Sequence, residues 1–365
     1  MLTSSETYKS FLSLVRLGIG HQTTVFPETI DWESICALAT EQGVTAIVLD
    51  GVQVLSDCGK LTEGRAMDKS MKKKWIGSVI QNYEWKYEDY RRAIGQLARF
   101  YSMHDYQMMV LKGYGLSLNY PVPQHRPCGD IDIWVFGKYK ETDEVLSRDL
   151  KIHIDSSHHH HTTFRFMNYL VENHYDFVNV HYGHGNDKLE NVFKELAMDD
   201  STRTEIDGQT VYLPSANLHA LFVLRHMMSH FASTGMSLRQ VMDWGFLIEK
   251  HGHEIDWPWF MEVLDVYHMT GFFRCINAIC VEDLGFDVSV FPQFQFNAAL
   301  KERVLNDILL PEFSGETPAS IWRRILFKYH RWQANAWKQD LCYGDSRFKS
   351  FWDGVWGHLM KPEMI

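Results

Sequence analysis

The sequence predicts an α+β protein: a small mixed sheet with helices, flanked by N- and C-terminal helical regions. Apolar residues recur at helical spacing through the first hundred residues and again after Pro214. Between these stretches the pattern changes to short apolar runs of strand length, separated by Gly, Pro and Asn/Asp turn signals. At 365 residues and 45% hydrophobic content the chain is long enough for two or three domains with filled cores. The predicted division is 1–105 helical, 106–214 α/β core and 215–365 helical.

In the first region Thr7–Leu17 carries Phe11, Leu12, Leu14 and Val15 at helical spacing. Asp31 is placed to cap a helix running to about Gln42, with Glu33 in its first turn and Gly43 as its stop. Ser56–Lys73 is polar and reads as a loop, and Met71–Tyr101 as one or two long amphipathic helices. In the core, Gln107–Leu111 is a short strand turning into a helix at Gly113 or Tyr114. The dense prolines from Pro121 to Pro127 require an extended loop, because proline removes a donor and restricts the residue before it. Asp130–Phe136 then reads as a buried strand and Tyr139–Asp149 as a helix. Ile152–Asp155, Thr162–Met167 and Tyr169–Phe177 follow as strands, the last two joined by a tight turn at Met167-Asn168. Asp187–Met198 is a short helix, and Asp207-Gly208 marks a hairpin within Thr202–Leu213. Ser215 caps a helix through about Phe231; Leu238–Lys250, Pro258–Met269 and Gly271–Glu282 continue the helical region, before a Pro/Phe-rich loop near Val290–Phe296 and a Trp-rich tail.

Charge and cysteine usage narrow the function. The formal charge is −10, and neither a basic excess nor a long basic stripe is present, which argues against a duplex nucleic-acid partner. The six cysteines are scattered without a C-x-x-C pair, as suits a reducing compartment. The N-terminus lacks the basic and apolar segments of a signal peptide, and no apolar run approaches a membrane span; the expected location is cytoplasmic.

Chemistry concentrates in two stretches, Val110-Leu-Lys-Gly-Tyr-Gly-Leu116 and Arg126-Pro-Cys-Gly-Asp-Ile-Asp-Ile-Trp-Val135. Side chains alternate along a strand, so Asp130 and Asp132 project from one face while Ile131 and Ile133 go to the other. Paired carboxylates repel and are costly to bury bare, and a divalent cation relieves both costs. The plainer reading gives one Asp to a turn and the other to an arginine. The glycine-bearing turn at Lys112-Gly113 favours the metal reading, because backbone N–H groups at such a turn can hold phosphate.

A Gly-containing turn followed by D-h-D on a strand resembles the nucleotidyltransferase fold of the DNA polymerase beta superfamily. L-K-G (Leu111–Gly113), R-x-x-G-D-I-D (Arg126–Asp132) and V-E-x-H (Val171–His174) more closely resemble a family of uncharacterised bacterial nucleotidyltransferases. Leu213-Pro-Ser215, Arg225-His226 with His230, and Leu238–Asp243 are similar to that family's helical C-terminal half. The resemblance implies transfer of a nucleoside monophosphate from an NTP to a hydroxyl of a small molecule or protein, releasing pyrophosphate. It implies Asp130, Asp132 and Glu172 as catalytic residues and ligands for Mg²⁺, with two ions possible, and Glu172 as general base. Asp176 shares Glu172's strand parity and competes for the third carboxylate position. Lys112, Gly113, Tyr114, Arg126 and His174 are the candidate NTP-binding residues; Lys112 and Arg126 read equally well as salt-bridge partners.

The turn is Gly113-Tyr114 where the wider superfamily has Gly-Ser or Gly-Gly, which keeps a second reading open: a non-catalytic nucleotide- or partner-binding protein on the same fold. A metal-dependent enzyme acting on another substrate is the third. His158–His161 has no Cys or carboxylate at zinc-site spacing, and strand alternation would let at most two of its rings face one way, so a structural zinc site is not expected there; a histidine of this run, or His174, is a candidate to line the nucleotide pocket. His226-Met-Met-Ser-His230 lacks the glutamate of H-E-x-x-H and reads as core or supporting histidines. Arg225 and Asp243 either shape the substrate site or bridge helices, and the tail tryptophans read as packing rather than base stacking.

Overall fold

The computed structural model describes residues 4–22, 29–62, 65–180, 186–199, 201–312 and 320–343. Three helices open the chain: α1 (Ser4–Gly18), α2 (Trp32–Glu41) and α3 (Thr45–Asp57). Asp31 caps α2 as the sequence indicates, accepting from the Ser34 N–H at 3.1 Å. α1 lies close against α3 because glycines sit at the crossing: a Cβ on Gly51 would stand 2.0 Å from the Leu14 carbonyl oxygen. α4 (Lys69–Val79) passes through a π-turn at Ile80–Glu84 directly into α5 (Trp85–Ser102), so the Met71–Tyr101 pattern forms one rod with a local insertion.

The strands form one six-stranded mixed sheet in the order β3-β4-β2-β1-β6-β5. They are β1 (Met109–Val110), β2 (Ile131–Trp134), β3 (His161–Phe166), β4 (Tyr169–His174), β5 (Ser201–Ile206) and β6 (Gln209–Pro214). β1 runs antiparallel to β2 and parallel to β6, while β2 runs parallel to β4. Hairpins join β3 to β4 and β5 to β6; the second turns at Asp207 and Gly208, both at positive φ (51° and 74°), as a two-residue hairpin turn requires.

Three predicted strand limits need correction. β2 ends at Trp134 because Phe136 and Gly137 take positive φ and turn the chain away. β4 ends at His174 because the next two N–H groups, of Tyr175 and Asp176, both donate to the His160 carbonyl. Ile152–Asp155 forms no strand: only Asp155 bridges the free edge of β3, at Thr163. The Asp155 carboxylate then accepts from the Ser157 N–H at 2.9 Å, and that turn bends the backbone off the edge.

Helices cover both faces of the sheet. On one side Tyr87, Tyr90, Ile94 and Leu97 of α5 pack with Val110, Ile131, Ile133, Phe164 and Val171. On the other, Met109, Trp134 and Tyr212 join a larger core shared with α9 (Ala216–Ser233), α10 (Leu238–His251) and the opening helices. The first and last thirds of the chain therefore bury apolar surface against each other as well as against the sheet. Ser215 caps α9, accepting from the Leu218 N–H. After α10 come α11 (Trp257–Val266), α12 (Thr270–Ala278), α13 (Ala298–Leu309), α14 (Ile321–Ala334) and α15 (Ala336–Tyr343). Trp337 packs on Phe231 and under the Arg303 guanidinium. Trp352 and Trp356 lie outside the described residues, as does the Trp322 side chain.

Candidate active site

The register of β2 on β4 builds the site. Asp132 sits directly beside Glu172, and Trp134 beside His174. Alternation sends Ile131, Ile133 and Val171 into the core under α5, so Asp132, Glu172 and His174 emerge together on the face that meets α9. Their ligand atoms lie within 4.8 Å of one another. The His174 Nε2 stands 3.1 Å from Asp132 Oδ1 and 3.5 Å from Glu172 Oε2. Lys112 reaches in from the end of β1, its Nζ 2.6 Å from Asp132 Oδ1.

Asp130 stands one residue before β2 and is exposed. Its carbonyl accepts from the Tyr90 hydroxyl at 2.9 Å, which fixes the backbone entering the strand. Its carboxylate joins neither of the two metal-ligand clusters among the described residues. Asp176 lies beyond the end of β4 and pairs with Lys194.

The charges in this site are tightly set. Burial alone would raise the Asp132 carboxyl, but Lys112 and His174 outweigh it and hold it well below the usual carboxylate range. Burial works against the His174 imidazolium too, yet its bonds to Asp132 and Glu172 raise it to about 9, so it is protonated at neutral pH. Partial desolvation, then the Asp132 charge, raise the Asp130 carboxyl. Lys112 and the His174 imidazolium thus supply the counter-charge to Asp132 and Glu172.

Lys112 Nζ also donates to His226 Nε2 at 3.3 Å, and His230 Nε2 lies 3.1 Å from the same nitrogen. Burial and the Lys112 charge push His226 well below the usual histidine value, so it is neutral and can accept. The paired histidines of α9, read from sequence as core or supporting residues, orient the lysine.

Arg126 is buried and held by Asp243 of α10 through two bonds, Nε to Oδ1 at 2.7 Å and Nη2 to Oδ2 at 3.0 Å. Tyr120 donates to the same carboxylate at 2.7 Å. Of the two roles open to Arg126 from sequence, the structure displays the salt bridge. Arg225 likewise ties helices together, donating to Tyr343 and to Asn186.

Gly113 takes φ 53° and ψ −101°, and a Cβ there would stand 2.2 Å from the Tyr90 hydroxyl oxygen. No L side chain fits without moving the tyrosine that fixes Asp130. Gly113→Ala is expected to lower stability by about 1–3 kcal/mol, measured by urea denaturation; Gly113→Ala with Tyr90→Phe should recover part of it, because the clashing atom is gone. The helix opened at Tyr114, α6 (Tyr114–Ser117), is only 4 residues long, and the Tyr114 ring packs on Tyr87 instead of facing the carboxylates.

The chain belongs to the family described as uncharacterised nucleotidyltransferase, whose sequence pattern it matches over residues 28–285. No curated protein matches the chain significantly. Among solved structures it is similar to that of an antigenic nucleotidyltransferase-like protein from Paracoccidioides brasiliensis. The identity is 17%, covering 43% of this chain and 74% of that chain, with a TM-score of 0.32. No helix among the described residues is long and apolar enough to cross a membrane.

Proposed function

We propose that this protein, acting in the cytoplasm, transfers a nucleoside monophosphate from an NTP to a hydroxyl group on a small molecule or protein. The observation that carries this reading is the side-by-side placement of Asp132 and Glu172 on parallel strands, with Lys112 at hydrogen-bond distance from Asp132. Two hard carboxylate donors in register suit Mg²⁺, and Asp130, at the entrance to β2, is near enough in sequence to add a third. When bound, the metal would neutralise charge on the triphosphate and favour ionisation of the acceptor hydroxyl.

Glu172 would take the proton from the acceptor hydroxyl as its oxygen bonds to the α-phosphorus. The phosphoanhydride bond between the α- and β-phosphates breaks and pyrophosphate leaves. Lys112, steered by His226, would leave Asp132 for phosphate oxygens, and the protonated His174 would offer a second donor on the same side. The Gly113-Tyr114 backbone would close the phosphate side of the site. Arg126 would act from behind, anchoring to α10 the loop that leads into Asp130.

Titration calorimetry with each NTP plus Mg²⁺ tests the binding step on wild type, Asp130→Asn and Asp132→Asn. The wild type should bind at least one NTP, and Asp132→Asn should weaken it by tenfold or more. Equal binding in all three, or none in any, overturns the metal–nucleotide reading.

A second reading is a nucleotide- or partner-binding protein without transfer activity. It is favoured by the engagement of both candidate phosphate contacts, Lys112 with Asp132 and Arg126 with Asp243. Incubation with α-labelled NTP separates the two: label on any acceptor, the protein itself included, supports transfer, and tight NTP binding without label supports the second.

A further inference from the structure

We propose that His160, His161 and His174 form a binding site for a divalent transition-metal ion of the zinc type, separate in its ligand chemistry from the carboxylates that suit Mg²⁺. The three residues each offer a ligand nitrogen, all within 4.8 Å of one another. The site stands on these histidines alone and does not depend on nucleotide transfer.

Strand alternation would keep His160 and His161 apart, but His160 precedes β3 at a bend. Its carbonyl accepts from both the Tyr175 and Asp176 N–H groups at 3.0 Å, which pins the backbone so that consecutive rings converge. Cross-strand pairing of His161 with His174 brings in the third ring. The ring centroids are 4.3 Å apart for His160–His161, 5.2 Å for His161–His174 and 5.8 Å for His160–His174.

Two features distinguish this cluster from ordinary aromatic packing. The Nδ1 atoms of His160 and His161 are buried without a hydrogen-bond partner. A buried nitrogen left without a partner is costly, a cost that a phenylalanine at the same place would avoid, so an unmet ligand is the better account. His174 is supported as metal-binding histidines are, its Nδ1 facing the Asp176 carbonyl at 3.3 Å, and its Nε2, 3.1 Å from Asp132 Oδ1, would give up its proton when the ion binds.

Three imidazoles are a donor set for zinc, and for copper, nickel or iron, while Mg²⁺ prefers oxygen and water. Zinc–nitrogen bonds of about 2.0–2.1 Å place ligand nitrogens roughly 3.3 Å apart, so nitrogens now within 4.8 Å of one another would draw in by up to about 1.5 Å.

The test uses the full chain stripped of metal with a chelator, without nucleotide, and titrated with Zn²⁺ against a chromogenic competitor. Wild type should hold one equivalent whose affinity falls at least tenfold in His160→Gln and in His161→Gln. It should be unchanged in His253→Gln, which removes an exposed histidine elsewhere. Equal affinity in wild type and both cluster variants overturns the proposal. Zinc-edge X-ray absorption on the wild type decides even where a variant fails to fold. Scattering from two or three imidazoles supports the site; sulfur ligands, or at most one imidazole, refute it. Failure of NTP binding would leave this result untouched, and failure here would leave the nucleotide reading untouched.

Discussion

Asp132→Asn is expected to lower nucleotide transfer by roughly 10³-fold or more, equivalent to about 4 kcal/mol of barrier. The residue sits at the centre of the site: beside Glu172, 2.6 Å from Lys112 and 3.1 Å from His174. Asparagine keeps the shape but removes the charge that would hold a divalent ion and that sets both cationic neighbours. His174 should feel this most, because its bond to Asp132 is the largest influence raising its pKa. In the variant its titration should fall from about 9 toward the ordinary value, readable by NMR of the imidazole protons.

The same coupling predicts a pH dependence of stability for the metal-free protein. His174 titrates near 6.5 when unfolded and at about 9 when folded. The stability it contributes is fully present below about pH 6.5 and is lost as pH rises through about 9, by up to roughly 3 kcal/mol. Urea denaturation at pH 6, 7.5 and 9 should show this decline in wild type and a shallower one in Asp132→Asn. A flat profile in both would mean that His174 is neutral in the folded protein and that Lys112 alone balances the carboxylates.

Local pattern carried the architecture further than it carried the site. Alternating apolar runs and turn residues located β2, β4 and the Asp207-Gly208 hairpin, and Asp31 and Ser215 marked their helix starts, because these features depend on neighbours within a few residues. Parity also placed Glu172 and His174 on one face, and the parallel register then brought that face beside Asp132. Parity failed where the chain bends: His160 leaves the strand pattern and joins His161, and β4 stops before Asp176 can compete with Glu172.

Partners separated by long stretches of chain were out of reach for a different reason. Lys112 and His226 are 114 positions apart, and Arg126 and Asp243 are 117. Periodicity says that a residue is buried on a given face, not which distant helix crosses that face. The i, i+4 spacing of His226 and His230 was a visible signal of two rings acting together, but only the packing of α9 on the sheet shows that they face a lysine. The apolar sharing between the first and last helices is equally long-range.

Asp243→Asn is expected to destabilise the fold by about 3–5 kcal/mol, because it leaves the Arg126 guanidinium buried with its main counter-charge removed. Arg126→Met should cost less, since Asp243 keeps Tyr120 at 2.7 Å and Arg239 at 3.4 Å. Replacing both, as Arg126→Met with Asp243→Leu, should cost less than the sum of the single changes, because neither buried charge is then stranded; thermal and urea unfolding of the four proteins measure that coupling. The series also decides what Arg126 does. As an anchor for the loop into Asp130, its replacement by lysine should lower stability through loss of the two-pronged bond and leave the NTP affinity of the folded fraction within about twofold. As a phosphate contact, the same change should weaken NTP binding by tenfold or more with little loss of stability. The buried, two-pronged pair with Asp243 points to the anchor.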